Sequence, residues 1–437
     1  MAYVIAVCGA GGKTTLCKEL AEKYLHLGYK VCITTSTHMW LENNISDINK
    51  ISSVESGKIY YFGEVTGEKI TKVSAEDYDK ICKTFDYVII EADGSKSMPL
   101  KIPRLKFGEK VEWEEGLEPV IPHGVNEIIV VMGLESIGRN IKAVCHRFDT
   151  FKEYVGIDDK TIVTPEVLDT IIEKYYINPL KEKFKDVKFT VEKVDFTKNE
   201  NYKKIKKLAL VLCASGFSKR FGGNKLLSDI NIKKIYDKKY LNKLKANELL
   251  DGSLENEYTK KLYQLMIEKL ILTKNDLLNL FKNRLSYDIL NIDVVVVSRY
   301  DEILNDKKYL RYVDMIRNDN AELGLSNSIK LAVEKYKNYD GMMFINADLP
   351  LLPVDEITMF LYNSICANTG ISSMYVNGIP KNPAYFEKEY FDEILEITGD
   401  TGPKALLTKY KKETYKYHIL EEYLYDIDTK ENLDELS

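Results

Sequence analysis

Short apolar runs without helical period recur along this chain, each followed by glycines, hydroxyls or carboxylates. The opening "AYVIAVC" is one, and residues 31–33, 87–90, 208–213 and 342–345 are others. Runs of this length, apolar on both faces, predict strands of a parallel sheet covered on each side. Helical spacing follows some of them. Leu16, Leu20 and Leu25 mark an amphipathic segment after the first run, and Leu262, Leu265, Met266 and Leu270 form a stripe that reads as packing.

At 437 residues the chain exceeds what one core ordinarily serves, so two domains are expected, 1–200 and 207–437. The polar, Lys-rich "TKNENYKKIKK" at 197–207 is the expected linker. A formal net charge of −5, with lysines scattered among acidic residues, gives no nucleic-acid footprint. No apolar stretch has the length of a membrane span, and the N-terminus enters a strand directly instead of a signal peptide. A cytoplasmic location is expected. The seven cysteines show no Cys-x-x-Cys or zinc spacing, so they are expected to be reduced and mostly buried. Cys8 is set apart by its place beside a glycine loop, where amides and Lys13 would lower its pKa.

Two glycine-rich phrases follow apolar runs. In "CASGFSKRFGGNKLL", Gly216, Gly222 and Gly223 let the backbone turn tightly, while Arg220 and Lys225 suit phosphate oxygens and developing charge. In "CGAGGKTTL", Gly9, Gly11 and Gly12 lead into Lys13, Thr14 and Thr15. Amides at a helix start form an anion nest, the lysine neutralises phosphate, and a threonine hydroxyl suits magnesium. Val7 stands where a Walker A loop has its first glycine, and the tighter form resembles the loop of Mur-type ligases.

Carboxylates at strand ends supply metal candidates. Asp348 follows the run 342–345, and Asp426 and Asp428 near the C-terminus read equally as second donors or turn residues. In the first half Glu91 and Asp93 end the run 87–90, either as metal carboxylates or as a strand-end turn. Residues 34–38 suit a phosphate or second ligand, although His38 reads as well as a structural histidine.

The second half resembles the MobA/MocA-like nucleotidyltransferases, specifically the molybdenum cofactor cytidylyltransferase branch. The phrases carrying the resemblance are "ASGFSKRFGGNK", "AELGLSNSI", "INADLPLL", "IPKNPAYF", "TGDTGPKALL" and "DIDT". The resemblance implies that Gly216, Ser218, Arg220 and Lys225 hold a triphosphate and Asp348 binds magnesium. Residues 324–328, including Gly324 and Ser326, would line the nucleotide pocket. The implied reaction is attack by a cofactor phosphate on the α-phosphorus of a nucleotide, CTP by this resemblance, with release of pyrophosphate. Two departures stand out: Ser215 replaces an alanine, and 228–261 lacks the expected Gly-Lys-Pro turn, which marks an insertion.

The first half resembles the YqeC family, associated with maturation of selenium-dependent molybdenum hydroxylases, through "GAGGKTTL", "TTSTHMW", "IIEADGSKSMPLK", "LEPVIP" and "VCHRFD". The expected whole is α/β: a P-loop-like parallel-sheet domain, then a Rossmann-like nucleotidyltransferase domain. The resemblances imply Mg2+, CTP or another triphosphate at the second site, and ATP or GTP at the first. They imply molybdopterin as substrate, a selenium-dependent hydroxylase as partner and, in a selenium-linked family, a chalcogen-handling role for Cys8. Two other readings remain: a non-catalytic chaperone that delivers the cofactor, and an ATP-driven ligase or selenium-activating activity in the first half.

Overall fold

The apolar runs are strands of two separate sheets in the computed structural model, which describes residues 1–40, 45–108, 110–198, 205–218, 220–250, 258–284 and 291–436. The chain divides into two units, Met1–Phe196 and Thr197–Ser437. Most of the expected linker, 199–204, lies outside the described residues, as does 251–257 of the expected insertion.

The first unit carries a six-stranded sheet of β1 (Tyr3–Gly9), β2 (Val31–Thr35), β3 (Ile59–Tyr61), β4 (Tyr87–Glu91), β5 (Glu127–Gly133) and β6 (Lys188–Val194). Its order is β6-β5-β1-β4-β2-β3 and every pairing is parallel. β1 and β5 are apolar on both faces because both are covered, which explains their lack of alternation. The helix after β1, α1 (Lys13–His26), turns Cys17 and Ala21 fully into the core, whereas Leu16 and Leu20 are only partly buried. Small residues on the sheet-facing side let the helix lie close to the strands.

The second unit carries seven strands: β7 (Lys207–Ala214), β8 (Asn291–Ser298), β9 (Asp314–Arg317), β10 (Gly341–Asn346), β11 (Ile371–Val376), β12 (Ile379–Glu387) and β13 (Tyr415–His418). The order is β9-β8-β7-β10-β12-β11-β13, with β12 antiparallel to both neighbours and the remaining pairings parallel. Three helices matter for the site: α2 (Leu262–Arg284), α3 (Leu325–Lys335) and α4 (Val354–Ala367). Ala209, Val211 and Cys213 of β7 share a core with Ile329, Ala332 and Val333 of α3. α2 packs on β7, β8 and α4, and its stripe Leu262, Leu265, Met266 and Leu270 is fully buried, as expected of packing residues.

The segment 228–261 starts and ends in one antiparallel ladder. Asp229–Asn231 pairs with Thr259–Lys261, and the Leu262 amide donates to the Ser228 carbonyl at 3.0 Å. Between the ladder strands the chain forms helices Ile232–Ile235 and Lys238–Ala246. In both sheets the strand order reverses beside the first strand of the unit, at β1 and at β7. That reversal opens a crevice at their C-terminal ends.

Candidate active site

The crevice after β7 is a cavity of about 590 Å³. Gly216, Ser218, Arg220, Lys225, Gly324, Asp348 and Asp428 line it, so one site gathers residues from the glycine-rich turn, the start of α3, the end of β10 and the C-terminal tail. The turn is tethered at both ends. Tyr300 donates its hydroxyl to the Gly216 carbonyl at 2.6 Å, and Ser218, in left-handed backbone at φ 51°, accepts from the Lys225 amide at 3.3 Å.

Lys225 is the electrostatic centre of the cavity. Its buried ammonium lies 2.8 Å from Asp348 Oδ2 and 3.2 Å from Asp428 Oδ1, while Arg220, largely exposed, holds Asp428 Oδ2 at 2.9 Å. Burial opposes the Lys225 charge, but Asp348 and Asp428 more than offset it and its pKa rises. Asp348 Oδ1 is buried with no hydrogen-bond partner, which leaves a hard oxygen donor free. Asp426, outside the cavity lining, is nonetheless close enough that burial, Asp348 and Asp428 together push its carboxyl up to about 6. Carboxylates crowded by like charges fit a divalent cation, although no set of three His, Cys, Asp or Glu side chains shaped for a metal occurs among the described residues. One or two carboxylates plus phosphates suffice for magnesium.

Across the cavity, α3 begins at Gly324, which has no side chain to cap it. Gly324 sits there at φ +91°, and a Cβ would meet Asp400 Oδ1 at 2.5 Å and the Gly399 backbone at 2.6 Å. Asp400 accepts from the Leu325 amide at 3.2 Å and lines the cavity. Sequence reasoning quoted its phrase without singling it out. Asn346, Ser215 and Ser328 also line the cavity. Ser326 is buried and bonded to the Leu323 carbonyl, and neither it nor Gly222 and Gly223 is among the lining residues.

The second gathering of predicted residues is in the first unit, after β1. Gly12 begins α1 without a side-chain cap, so the amides of Lys13, Thr14 and Thr15 open the helix; Thr15 is exposed. Gly11, at φ +71°, has no room for a side chain: a Cβ would meet the Gly133 amide at 2.5 Å and the Pro99 carbonyl at 2.9 Å. Thr14 donates to Glu91 Oε2 at 2.7 Å, and burial holds the Glu91 carboxyl above its ordinary value. Lys13 is buried, donating to the Gly9 carbonyl at 2.8 Å and lying 3.3 Å from Asp93.

Asp93 is placed differently from Glu91. It is fully buried, accepts from the Gly9 amide at 3.1 Å, and is shared between Lys13 and Lys101, each at 3.3 Å. Lys101 in turn holds Glu118 at 2.6 Å, and Glu118 is also bound by Arg147. Five alternating charges thus link four of the phrases read from the sequence. None of Lys101, Glu118 and Arg147 was picked out as functional there. Asp93 thus pairs with two lysines, while its Oδ1 is buried with no hydrogen-bond partner.

One expectation changes. Cys8 is wholly buried, and burial together with the Asp93 charge drives its thiol well above the ordinary range, opposite to the lowering expected from Lys13. In residues 34–38, the Thr34, Thr35 and Ser36 hydroxyls donate to the carbonyls of Phe62, Glu91 and Val120, and His38 is exposed.

Comparison with known families places residues 5–149 in a match to the YqeC protein family and residues 284–414 in a match to the MobA-like NTP transferase domain. A YqeC protein of Escherichia coli (strain K12) is 30% identical over 169 residues, covering 35% of this chain and 61% of the relative. The chain therefore spans about three fifths of that relative's length. A 2-phospho-L-lactate guanylyltransferase of Methanocaldococcus fervens is 32% identical over 165 residues, covering 37% of this chain and 72% of the relative. Among solved structures, a nucleotidyl transferase from Methanothermobacter thermautotroptrophicus aligns with a TM-score of 0.34 and 14% identity, over 52% of this chain and 97% of that one.

Proposed function

Because the chain belongs to the YqeC family in its N-terminal part and to the MobA-like NTP transferases in its C-terminal part, we propose that it matures the cofactor of selenium-dependent molybdenum hydroxylases. In this reading the C-terminal unit transfers a nucleotidyl group to molybdopterin and releases pyrophosphate. The observation that carries it is Lys225 held between Asp348 and Asp428 at the floor of the glycine-lined cavity, with Asp348 Oδ1 buried and unpartnered.

The turn bearing Gly216 and Ser218, with Gly222 and Gly223 shaping it, cradles the triphosphate opposite the start of α3. Lys225 and Arg220 neutralise charge on the phosphates. Asp348 holds magnesium, with Asp426 or Asp428 as the second carboxylate. Bound there, the ion supplies charge neutralisation at the α-phosphate and pyrophosphate oxygens. An oxygen of the molybdopterin phosphate forms the new bond to the α-phosphorus as the bond to the bridging oxygen of pyrophosphate breaks. The side chains position and neutralise, and no proton-shuttling residue is required of them.

CTP is the nucleotide of the primary reading. The Methanocaldococcus relative named as a guanylyltransferase supports GTP as the second. The deciding experiment incubates the protein with molybdopterin and each magnesium nucleotide in turn and follows pyrophosphate. Release with CTP alone supports the first reading, release with GTP alone the second, and no release with any nucleotide removes the transferase.

The N-terminal unit, in the same reading, binds and hydrolyses ATP or GTP. Gly9, Gly11, Gly12 and the α1 amides, with Lys13 and Thr15, hold the phosphates. Thr14 and Glu91 hold magnesium, and Asp93 orients Lys13. Free cysteines throughout agree with work in the cytoplasm, and no helix among the described residues is long and apolar enough to cross a membrane.

A further inference from the structure

Lys269 on α2 is wholly buried, and its ammonium faces main-chain carbonyls instead of a carboxylate. It donates to Pro350 at 2.5 Å, to Leu352 at 2.6 Å and to Leu349 at 3.5 Å. No ion pair involves it among the described residues, and burial alone drives its pKa well below the ordinary lysine range. An unpaired buried cation is costly, and an apolar side chain of the same length would fill this space more cheaply. What the ammonium supplies is a fixed position for the carbonyls it touches.

Those carbonyls form the turn directly after Asp348. A second donor reaches the same place: the hydroxyl of Tyr236, from the segment 228–261, donates to the Pro350 carbonyl. The Tyr236 ring also lies 5.0 Å from the Lys269 ammonium, within cation–π reach. On the other side the Asp348 carbonyl accepts from the Ile427 amide at 3.1 Å, between Asp426 and Asp428. The peptide carrying Asp348 is thus held by the tail on one side and by Lys269 and Tyr236 on the other.

We propose that Lys269 is a positioning residue for nucleotidyl transfer: through the carbonyls of Leu349, Pro350 and Leu352 it fixes the Asp348 carboxylate, with Tyr236 as a second strut. This rests on the reading of the cavity as a transferase site. Lys269 touches neither nucleotide nor metal. Its effect falls on how well Asp348 holds a cation and how well the reacting groups align, and not on nucleotide capture by the turn bearing Gly216 and Ser218.

The test compares the full-length protein with K269M and Y236F. It measures pyrophosphate release, and separately Mn2+ binding in the presence of CTP or GTP by electron paramagnetic resonance, which needs no turnover. K269M is expected to lower kcat about 10- to 100-fold, with nucleotide KM within about twofold, because displacing a reacting group by an ångström has effects of this size. It should weaken Mn2+ binding in parallel. Y236F, which removes one hydroxyl, should shift both in the same direction by about 2- to 5-fold, as loss of one modest hydrogen bond does.

A K269M protein with a lower melting temperature but unchanged kcat and Mn2+ affinity overturns the proposal, as does a loss confined to KM. Should K269M not fold, wild-type Mn2+ affinity in Y236F overturns it, and weakened affinity supports it. Absence of both turnover and Mn2+ binding in the unmodified protein brings down the transferase reading and this proposal with it. Turnover that survives K269M intact brings down the role of Lys269 alone.

Discussion

The Lys225 ammonium lies 2.8 Å from one oxygen of Asp348, while the other oxygen of the same carboxylate is buried and unpartnered. One carboxylate thus faces a fixed cation on one side and an open coordination position on the other. Asp348→Asn keeps the shape and removes the charge. Pyrophosphate release is expected to fall about 100-fold or more, in line with loss of a preorganised electrostatic group. Unchanged circular dichroism would show that the fold survives, and undiminished turnover would remove Asp348 from the site.

Chelation should act at the same place. Treatment with EDTA is expected to abolish pyrophosphate release, and added Mg2+ to restore it. Turnover that persists through exhaustive chelation would exclude the metal role given to Asp348, Asp426 and Asp428.

In the first unit, Lys13→Ala is expected to abolish ATP or GTP binding and hydrolysis while cytidylyl or guanylyl transfer persists. The variant leaves Asp93 with Lys101 as its remaining cation, so some loss of stability accompanies it. Titration with a fluorescent nucleotide, beside a pyrophosphate assay, separates the two units. Equal loss of both activities would contradict independent sites.

Glu135 gives the first unit a defined pH dependence. Its carboxyl Oε2 is buried without a partner, and burial pushes the group up to about 7, with the Asp195 charge adding to the rise and Arg139 opposing it. The folded protein therefore holds this proton more tightly than the unfolded chain. The associated stability is complete below the unfolded value near 4.5 and is lost as pH rises through about 7. Within that window the slope is about 1.4 kcal/mol per pH unit at most. Urea unfolding at acid and at mildly alkaline pH should show the unmodified protein losing stability relative to Glu135→Gln. Parallel pH profiles would refute the assignment.

Thiol chemistry should follow burial. Cys82 is the one cysteine with intermediate exposure and the other six are buried. An aromatic disulfide reagent is expected to modify Cys82 first and to leave Cys8 unmodified until unfolding. Rapid labelling of Cys8 in the native protein would revive its role as a chalcogen carrier.

What the chain reveals locally was legible before the structure. The runs at 87–90, 208–213 and 342–345 are strands because an apolar stretch covered on both faces carries its signal in neighbouring residues. Both glycine-rich turns could be placed for the same reason. Contacts between distant segments left no such trace. Asp93 reads from the sequence as a strand-end carboxylate, and nothing near it in the chain tells that Lys13 and Lys101 converge on it. Gly324 needs its hydrogen because Asp400, far along the chain, closes on it. Lys269 lies on a helix whose apolar stripe is obvious, yet nothing in that stripe tells which carbonyls will surround an embedded lysine. The lowering expected at Cys8 failed because a neighbouring lysine was weighed and complete desolvation was not.

The ladder that closes 228–261 brings its two ends within one hydrogen bond, Leu262 to Ser228. A segment that departs and returns at one point leaves the path of the surrounding chain independent of its length, since loop closure costs little more as a loop grows. The segment is still tied to its surroundings at defined points: Lys243 pairs with Asp276 of α2 and Asp355 of α4, Lys260 pairs with Glu268 of α2, and Tyr236 reaches Pro350. Relatives with a short turn at this position would be expected to keep the same sheet, and would have to steady the peptide after Asp348 by some other donor.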